Sequence, residues 1–356
     1  MRRRDGFSPA CKAIALFLAT ANHAKAQPWV PLRGEGSISF SYQRIDNTGH
    51  RRTNGHLLPR GRSLDMSLYL EAEYALTNRL SLTAGLPYVF AKYTDPNPPA
   101  PPIPYLPVDQ CHCWQSGWQD FGITARYNLA GSASGAFALT PSVSIGAPSH
   151  DYNFRGESAL GRDLREVRMG VDAGRRLDAI SSNLSVQGGY SYAFVQKVQS
   201  ISSNRSNASL EGDYFVKKKL LVRGQVFWQR THGGLRFGSL SPADLVFPGE
   251  VNTPELLNQH DRLLRDNYWR AGGGLAYSFP RVDLFAVYTA FVSGTDTHAG
   301  RALTIGFSVP FRLAGSRRWI CARWPKRGAP VSRTRSPRGC GFGRSRSRSP
   351  ARSPAR

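Results

Sequence analysis

The chain has 356 residues, a formal net charge of +23 and a mean hydropathy of −0.38. It contains no long uninterrupted apolar run of the kind that a membrane-spanning helix needs, which excludes a helical membrane protein. Residues 312–356 hold 14 Lys or Arg and no Asp or Glu, so most of the positive charge belongs to the end of the chain, and residues 27–311 carry a net charge of only +5. The abundance of Gly, Ser and aromatic residues favours strands and turns.

The first 26 residues have the pattern of a secretory signal peptide. A basic segment, residues 2–12, precedes a short apolar core, residues 13–19. Ala24 and Ala26 supply the small residues before a cleavage site, so we predict cleavage before Gln27. The apolar core is too short to cross a bilayer, and we therefore expect an exported protein.

Alternation of apolar and polar residues with a period of two predicts strands along the rest of the chain. A membrane-spanning strand needs only about ten residues with every second one apolar, so its overall hydropathy resembles that of a soluble protein. Twelve such segments occur, and an even number of antiparallel strands closes a barrel. The predicted strands are 37–42, 64–74, 80–90, 120–128, 137–147, 167–173, 184–194, 208–216, 220–228, 269–279, 282–292 and 303–311.

The predicted connections alternate in length, as periplasmic turns and external loops do in outer-membrane barrels. The short connections are 75–79, 130–136, 177–183, 217–219 and 280–281. The longer connections are 45–63, 94–119, 148–163, 197–206, 233–267 and 293–302. The sequence thus predicts an all-β fold, a transmembrane antiparallel up-and-down β-barrel of about twelve strands. Residues 1–26 form the signal peptide, residues 27–311 the barrel, and residues 312–356 a disordered tail rich in Arg, Ser and Pro.

Aromatic residues fall at both ends of the predicted strands. Such rings prefer the boundary between hydrocarbon and headgroups, so the pattern predicts two interfacial girdles. The girdle at the short-turn end contains Tyr74, Tyr127, Phe137, Tyr214, Tyr277, Phe279 and Phe311. The girdle at the long-loop end contains Tyr42, Phe90, Tyr192, Phe194, Trp228 and Trp269.

Several segments resemble a family of Gram-negative outer-membrane β-barrels described as transporters, near the group named after the meta-pathway of phenol degradation. The resemblance covers roughly residues 34–311 and is carried by GEGSISFSYQ (from Gly34), NRLSLTAGLPYVFAKY (from Asn78), QDFGITARYNL (from Gln119), PSHDYNFRGESALGRDLREVRMGV (from Pro148), YSYAFVQKV (from Tyr190), NRSNASLEGDYFV (from Asn204) and HDRLLRDNYWRAGGGLAY (from His260). It implies an outer-membrane barrel with a role in uptake, and it brings no established site residues with it.

The polar faces of the predicted strands carry many charges that should point into the lumen. The predicted lumen-lining acids are Asp65, Glu71, Glu73, Glu166, Asp172, Glu211, Asp213 and Asp283, and the bases are Arg126, Arg168, Arg223 and Arg270. Such groups can line a water-filled pathway and set its selectivity. Alternatively, they form paired charges that fill a narrow lumen, because twelve strands lie between the small filled barrels and the wide porins.

Two short motifs carry chemistry of another kind. Cys111, His112 and Cys113 could bind a metal, but a structural zinc site needs four ligands at wider spacing, and a disulfide is the expected fate of exported cysteines. Ser149, His150 and Asp151 are hydrolase residue types, but neighbouring side chains on an extended chain point in opposite directions. We therefore predict no metal, no cofactor and no enzymatic activity.

The predicted function is passive passage of small solutes, aromatic or hydrophobic ones in particular, through the outer membrane. One alternative is a structural or adhesive barrel whose loops 94–119 and 233–267 contact a partner, and another is a membrane-embedded hydrolase. The expected partners are outer-membrane lipid, a small-molecule solute and the barrel assembly machinery. The Arg-Ser runs of the tail could neutralise phosphates, but an exported protein rarely meets nucleic acid, so none is expected as a partner.

Overall fold

The computed structural model describes residues 28–58, 61–94, 112–131, 135–156, 158–235 and 259–313. The predicted signal peptide and the predicted basic tail lie outside these residues, as do Cys111 and most of the loops 94–119 and 233–267. The only helix within the described ranges is α1 (His260–Leu263), so no helix there is long and apolar enough to cross a membrane.

Twelve antiparallel strands form one closed sheet, as the alternation predicted. Each strand pairs with its neighbour in the chain, and the last strand pairs with the first from Glu35↔Arg312 to Arg51↔Thr297, which closes the barrel. The strands are β1 (Glu35–Arg51), β3 (Arg62–Ala75), β4 (Leu80–Thr94), β6 (Asp120–Tyr127), β8 (Phe137–Pro148), β9 (Glu166–Arg176), β10 (Leu184–Val195), β11 (Ser203–Lys217), β12 (Leu220–Gly233), β13 (Asn267–Ser278), β14 (Asp283–Thr295) and β15 (Thr297–Arg312).

Three short strands extend the sheet at its ends. They are β2 (Leu57–Leu58), β5 (Gln115–Trp118) and β7 (Ala130–Gly131), which pair with β1, β4 and β8 respectively. The pairing of β5 continues the line of β6 along β4, with only Gln119 between them. The predicted connection 94–119 therefore contains a strand that its irregular, Pro-rich sequence did not suggest.

The two faces of the barrel have opposite character. Apolar side chains on the outer face are exposed, among them Ile38 at 47%, Leu70 at 47% and Ile305 at 44% of their surface. Small polar side chains on the inner face, such as Ser67 and Ser81, are buried. An apolar exterior around a polar interior is the arrangement that lets strands cross hydrocarbon with every backbone group paired.

The predicted loop 293–302 is wrong, because only Asp296 separates β14 from β15. The two strands pair with each other only as far as Ala290↔Arg301. The remaining residues of each strand pair on one side only. β14 continues to Thr295 by pairing with β13, and β15 begins at Thr297 by pairing with β1. The predicted loop 45–63 is shortened for the same reason, since β1 continues to Arg51.

The last strand also continues beyond the predicted barrel boundary at Phe311. Arg312 forms an ion pair with Glu35, and the Leu313 N–H donates a hydrogen bond of 3.0 Å to the Gly34 carbonyl. These contacts join the end of β15 to the beginning of β1 at the short-turn rim.

Candidate functional site: the barrel lumen

The twelve charged residues predicted for the lumen all lie at inward-facing positions of the strands. Seven of them form ion pairs along the inner wall. Arg126 on β6 pairs with Glu73 on β3, and both side chains are largely buried, at 9% and 12% exposure. Because ionised groups are costly to desolvate, buried charges of this kind persist only when they are paired.

One charge cluster joins β11 and β12. Arg223 lies 2.7 Å from Asp213 (Nε to Oδ1) and 2.9 Å from Glu211 (Nη1 to Oε2). Glu211 is nearly buried, with 4% of its side chain exposed. One guanidinium on β12 thus contacts two largely buried carboxyl groups on β11.

A second cluster contains two arginines and one carboxylate. Glu166 on β9 accepts hydrogen bonds from Arg168, at 2.6 Å, and from Arg205 on β11. Arg205 was absent from the predicted set, although it alternates on the same face of β11 as Glu211 and Asp213. By contrast, Arg270 on β13 has no ion-pair partner among the described residues, and its guanidinium lies 5.1 Å from the centre of the Tyr268 ring.

Two cavities remain between these clusters. A cavity of about 450 Å³ follows the polar wall from β3 to β11 and includes Glu71, Arg168 and Asp172 in its lining. A cavity of about 880 Å³ follows the opposite wall from β12 through β15 to β1 and reaches the short-turn rim. Its lining includes Arg270 and Asp283, together with the apolar side chains of Phe215, Leu221, Phe285 and Val287.

The two cavities meet at three residues that line both, Glu73, Phe227 and Tyr268. The Phe227 and Tyr268 ring centres are 5.9 Å apart, and the Tyr268 hydroxyl donates to Gln229 Oε1 at 3.3 Å. Sequence reasoning missed these inward aromatics because it assigned the apolar residues of each strand to the lipid face. The signal was present, since Phe227 stands an even number of positions from Arg223 on β12.

The chain segment before β1 occupies part of the lumen at the short-turn end. Pro28 and Val30 are buried, the Pro28 carbonyl accepts a hydrogen bond from Thr140 on β8, and Trp29 Nε1 donates to the Gly135 carbonyl at 3.1 Å. Gly174 on β9 makes room for the segment, because a Cβ there would lie 2.4 Å from Pro28 Cγ and 2.7 Å from the Trp29 ring. The polar wall is therefore covered at its short-turn end.

The opposite end is covered by two loops that fold over the mouth. Tyr152 in the loop after β8 donates a hydrogen bond to Asp120 at the start of β6, and its hydroxyl also accepts from the Asp163 N–H at 2.8 Å. Burial and the Asp120 carboxylate raise the pKa of Tyr152, so its hydroxyl stays protonated and continues to donate. Arg162 of the same loop pairs with Asp266 before β13.

Arg262 of α1 fastens these loops to each other. Its guanidinium pairs with the Asp163 carboxylate, donates to the Arg162 carbonyl at 3.0 Å, and lies 3.8 Å from the centre of the Phe154 ring. We expect Arg262→Ala to loosen the loop after β8, since it removes an ion pair, two hydrogen bonds to carbonyls and a cation–π contact together.

This loosening should increase proteolytic cleavage within residues 149–165 several-fold while the heat-modifiable barrel band persists. Arg155→Ala is the matched control, because Arg155 contacts the same Phe154 ring, at 5.5 Å, but forms no ion pair among the described residues. Equal cleavage in the two variants would show that Arg262 does not fasten the loops.

The two other motifs lie outside the lumen wall. Ser149 Oγ and His150 Nδ1 are 2.9 Å apart, so the prediction that these side chains diverge is wrong, because the chain bends at this point rather than staying extended. No group of three or more metal-ligand side chains occurs in the described part of the chain. Cys113 is disulfide-bonded.

The architecture is that of a closed, twelve-stranded antiparallel β-barrel of the outer-membrane type, with a polar lumen. The fold is similar to that of an outer-membrane channel from Pseudomonas putida F1, with a TM-score of 0.59 and 15% identity over 79% of this chain and 97% of that one. Two porins are more distant in structure. The NanC porin has a TM-score of 0.42 and 9% identity over 77% of this chain and 98% of that one. The KdgM porin in complex with oligogalacturonate has a TM-score of 0.41 and 10% identity over 77% of this chain and 99% of that one. No protein-family model and no curated protein matches the chain.

Proposed function

We propose that the protein is an outer-membrane channel through which small solutes pass passively. A closed barrel with an apolar exterior and a polar interior is a form in which strands can span a membrane, and this supports the proposal. The proposal includes removal of residues 1–26 as a signal peptide, insertion into the outer membrane of a Gram-negative bacterium and recognition by the barrel assembly machinery. It includes no enzymatic step, cofactor or resident metal.

One observation carries the proposal, the pair of cavities that meet at Glu73, Phe227 and Tyr268. Together they extend from the loops over one mouth to the rim at the other, and each has a volume within the range of small-molecule sites. This junction is aromatic on one side, where Phe227 and Tyr268 lie, and we propose that it sets the upper size of a solute. The channel would therefore be narrow and selective.

The charged wall and the apolar wall of the lumen suggest which residues a solute would contact. The charged residues predicted for the lumen would act mainly by holding nearby strands of the wall in a fixed geometry, because most of them are engaged in ion pairs. The solute itself would contact the apolar wall through Phe215, Phe285 and Val287, and Arg270 is the guanidinium available to it there. Small solutes with an aromatic or hydrophobic part suit this wall.

Thr289 provides a direct test, because it projects into the larger cavity from β14. We expect Thr289→Trp to reduce solute entry into liposomes several-fold, since the indole would occupy the passage. The readout is the rate of swelling of proteoliposomes in solutions of small solutes, compared at equal amounts of folded protein.

Ala290→Trp is the matched control, because Ala290 is the next residue on β14 and faces the lipid. Its barrel should pass solutes at the unmodified rate. Equal rates in the two variants, or no entry above that of protein-free liposomes with the unmodified protein, would contradict the proposed function.

A further inference from the structure

The outer surface of the barrel carries three arginines around one carboxylate at the long-loop end. Asp46 on β1 stands opposite Arg301 on β15, and Arg44 precedes it by two positions on the same face. Arg62 at the start of β3 holds Asp46 with two bonds of 2.6 Å, from Nε and from one terminal nitrogen. Arg301 lies 3.6 Å from the same carboxylate, and Arg44 is near enough to act on it electrostatically.

The exposure of these side chains shows which of them can accept another ligand. Only 9% of the Asp46 side chain is exposed, whereas 52% of Arg62 and 62% of Arg301 is exposed. One largely buried carboxylate therefore faces three guanidiniums that reach the surface, and the cluster keeps an excess of positive charge. Arg62 is held in place by its bidentate pair with Asp46, while guanidinium N–H groups of Arg44 and Arg301 can donate to another ligand.

The height of the cluster points to its ligand. Tyr42 belongs to the aromatic girdle at the long-loop end, and Arg44 is the next outward position on β1. At a rise of about 3.3 Å per residue, Arg44 lies about 7 Å and Asp46 about 13 Å along the strand beyond Tyr42. Aromatic girdles mark the edge of the hydrocarbon, so the three arginines stand at the level of the headgroups, on the lipid side of the wall.

We infer that Arg44, Arg62 and Arg301 bind a phosphate group in the headgroup of a phosphorylated lipid of the external leaflet. A guanidinium offers paired donors that match the oxygens of a phosphate, and such bonds are strong where water is partly excluded. Asp46 orients Arg62 and prevents the three cations from repelling one another when no lipid is bound. The inference rests on the proposed membrane location, and it does not depend on whether the lumen conducts.

The experiment measures binding of bisphosphorylated lipid A to the refolded full-length protein in detergent. The variant combines Arg44→Gln with Arg301→Gln, which keeps the Arg62–Asp46 pair and so spares the contact between β1 and β3. We expect the affinity for lipid A to fall by about tenfold or more, because each basic residue at a membrane surface makes a substantial contribution to binding.

A matched control removes two exposed cations from the same end of the barrel, Arg230→Gln with Lys197→Gln, and should retain the affinity. Lipid A without its phosphates should bind the unmodified protein as weakly as the bisphosphorylated lipid binds the variant. Equal loss in the control, unchanged affinity in the variant, or equal binding of the dephosphorylated lipid would overturn the inference.

Inorganic phosphate separates a lipid site from a site for any phosphate. We expect it to displace lipid A only at far higher concentrations, whereas displacement at matched concentration would overturn the assignment to a lipid. The variant's rate of solute entry should equal that of the unmodified protein. A barrel that binds lipid A but passes no solute would overturn the proposed channel and leave the lipid site standing.

Discussion

Replacing Arg223 with methionine is expected to lower the free energy of unfolding by about 3–5 kcal/mol, the cost of removing one partner from a buried charge pair. Glu211 and Asp213, which lie 2.9 Å and 2.7 Å from the Arg223 guanidinium, would remain inside the wall without their shared cation. The measurement is the urea dependence of folding in detergent or vesicles, followed by the heat-modifiable shift in gel mobility and by far-UV circular dichroism.

Arg270→Met is the matched control, since Arg270 also faces the lumen, from the neighbouring strand, and has no ion-pair partner among the described residues. Its loss should cost less than about 1 kcal/mol, because it removes a cation–π contact with Tyr268 and breaks no ion pair. Adding Glu211→Gln and Asp213→Asn to Arg223→Met should recover most of the stability. Equal destabilisation by Arg223→Met and Arg270→Met would contradict the role given to the cluster.

Removing the side chains of the segment before β1 should increase the unitary conductance several-fold. Pro28, Trp29 and Val30 occupy the short-turn end of the polar wall, where Pro28 contacts Thr140 and Gly174 leaves room for the segment. The variant Pro28→Gly, Trp29→Gly, Val30→Gly keeps the length of the chain but removes the apolar contacts that hold the segment inside. Planar-bilayer recordings of refolded protein would report the change.

Leu32→Gly is the control for this variant, because Leu32 belongs to the same segment and is 45% exposed. It should leave the conductance unchanged. A folded triple variant with unmodified conductance would mean that the segment does not limit the passage.

The strands and their faces were predictable because lipid and lumen impose a strict alternation on every residue between the rims. The Ser37–Tyr42 alternation, for example, predicted which side chains of β1 face outward. Closure followed from the even number of strands and the alternating connections. These features depend only on the local sequence and on the two environments of each strand, lipid on one face and the lumen on the other.

The rest of the lumen could not be predicted, because it depends on contacts between segments far apart in the sequence. Alternation places Phe227 on the inner face but cannot show that it meets Tyr268 there. Nothing local indicates that Trp29 reaches Gly135, more than a hundred residues away, or that Arg262 bonds to Asp163. The partner of each charged residue could not be predicted either, because it depends on which positions of different strands lie side by side in the closed barrel.

The most direct test of the channel is a planar-bilayer recording of the refolded mature chain, after a heat-modifiable band has shown that the barrel is folded. Two cavities of about 450 and 880 Å³ that share Glu73, Phe227 and Tyr268 in their linings predict small, discrete conductance steps, which Thr289→Trp should reduce further. A folded protein that inserts into the bilayer and produces no steps above the leak of the membrane would contradict the account.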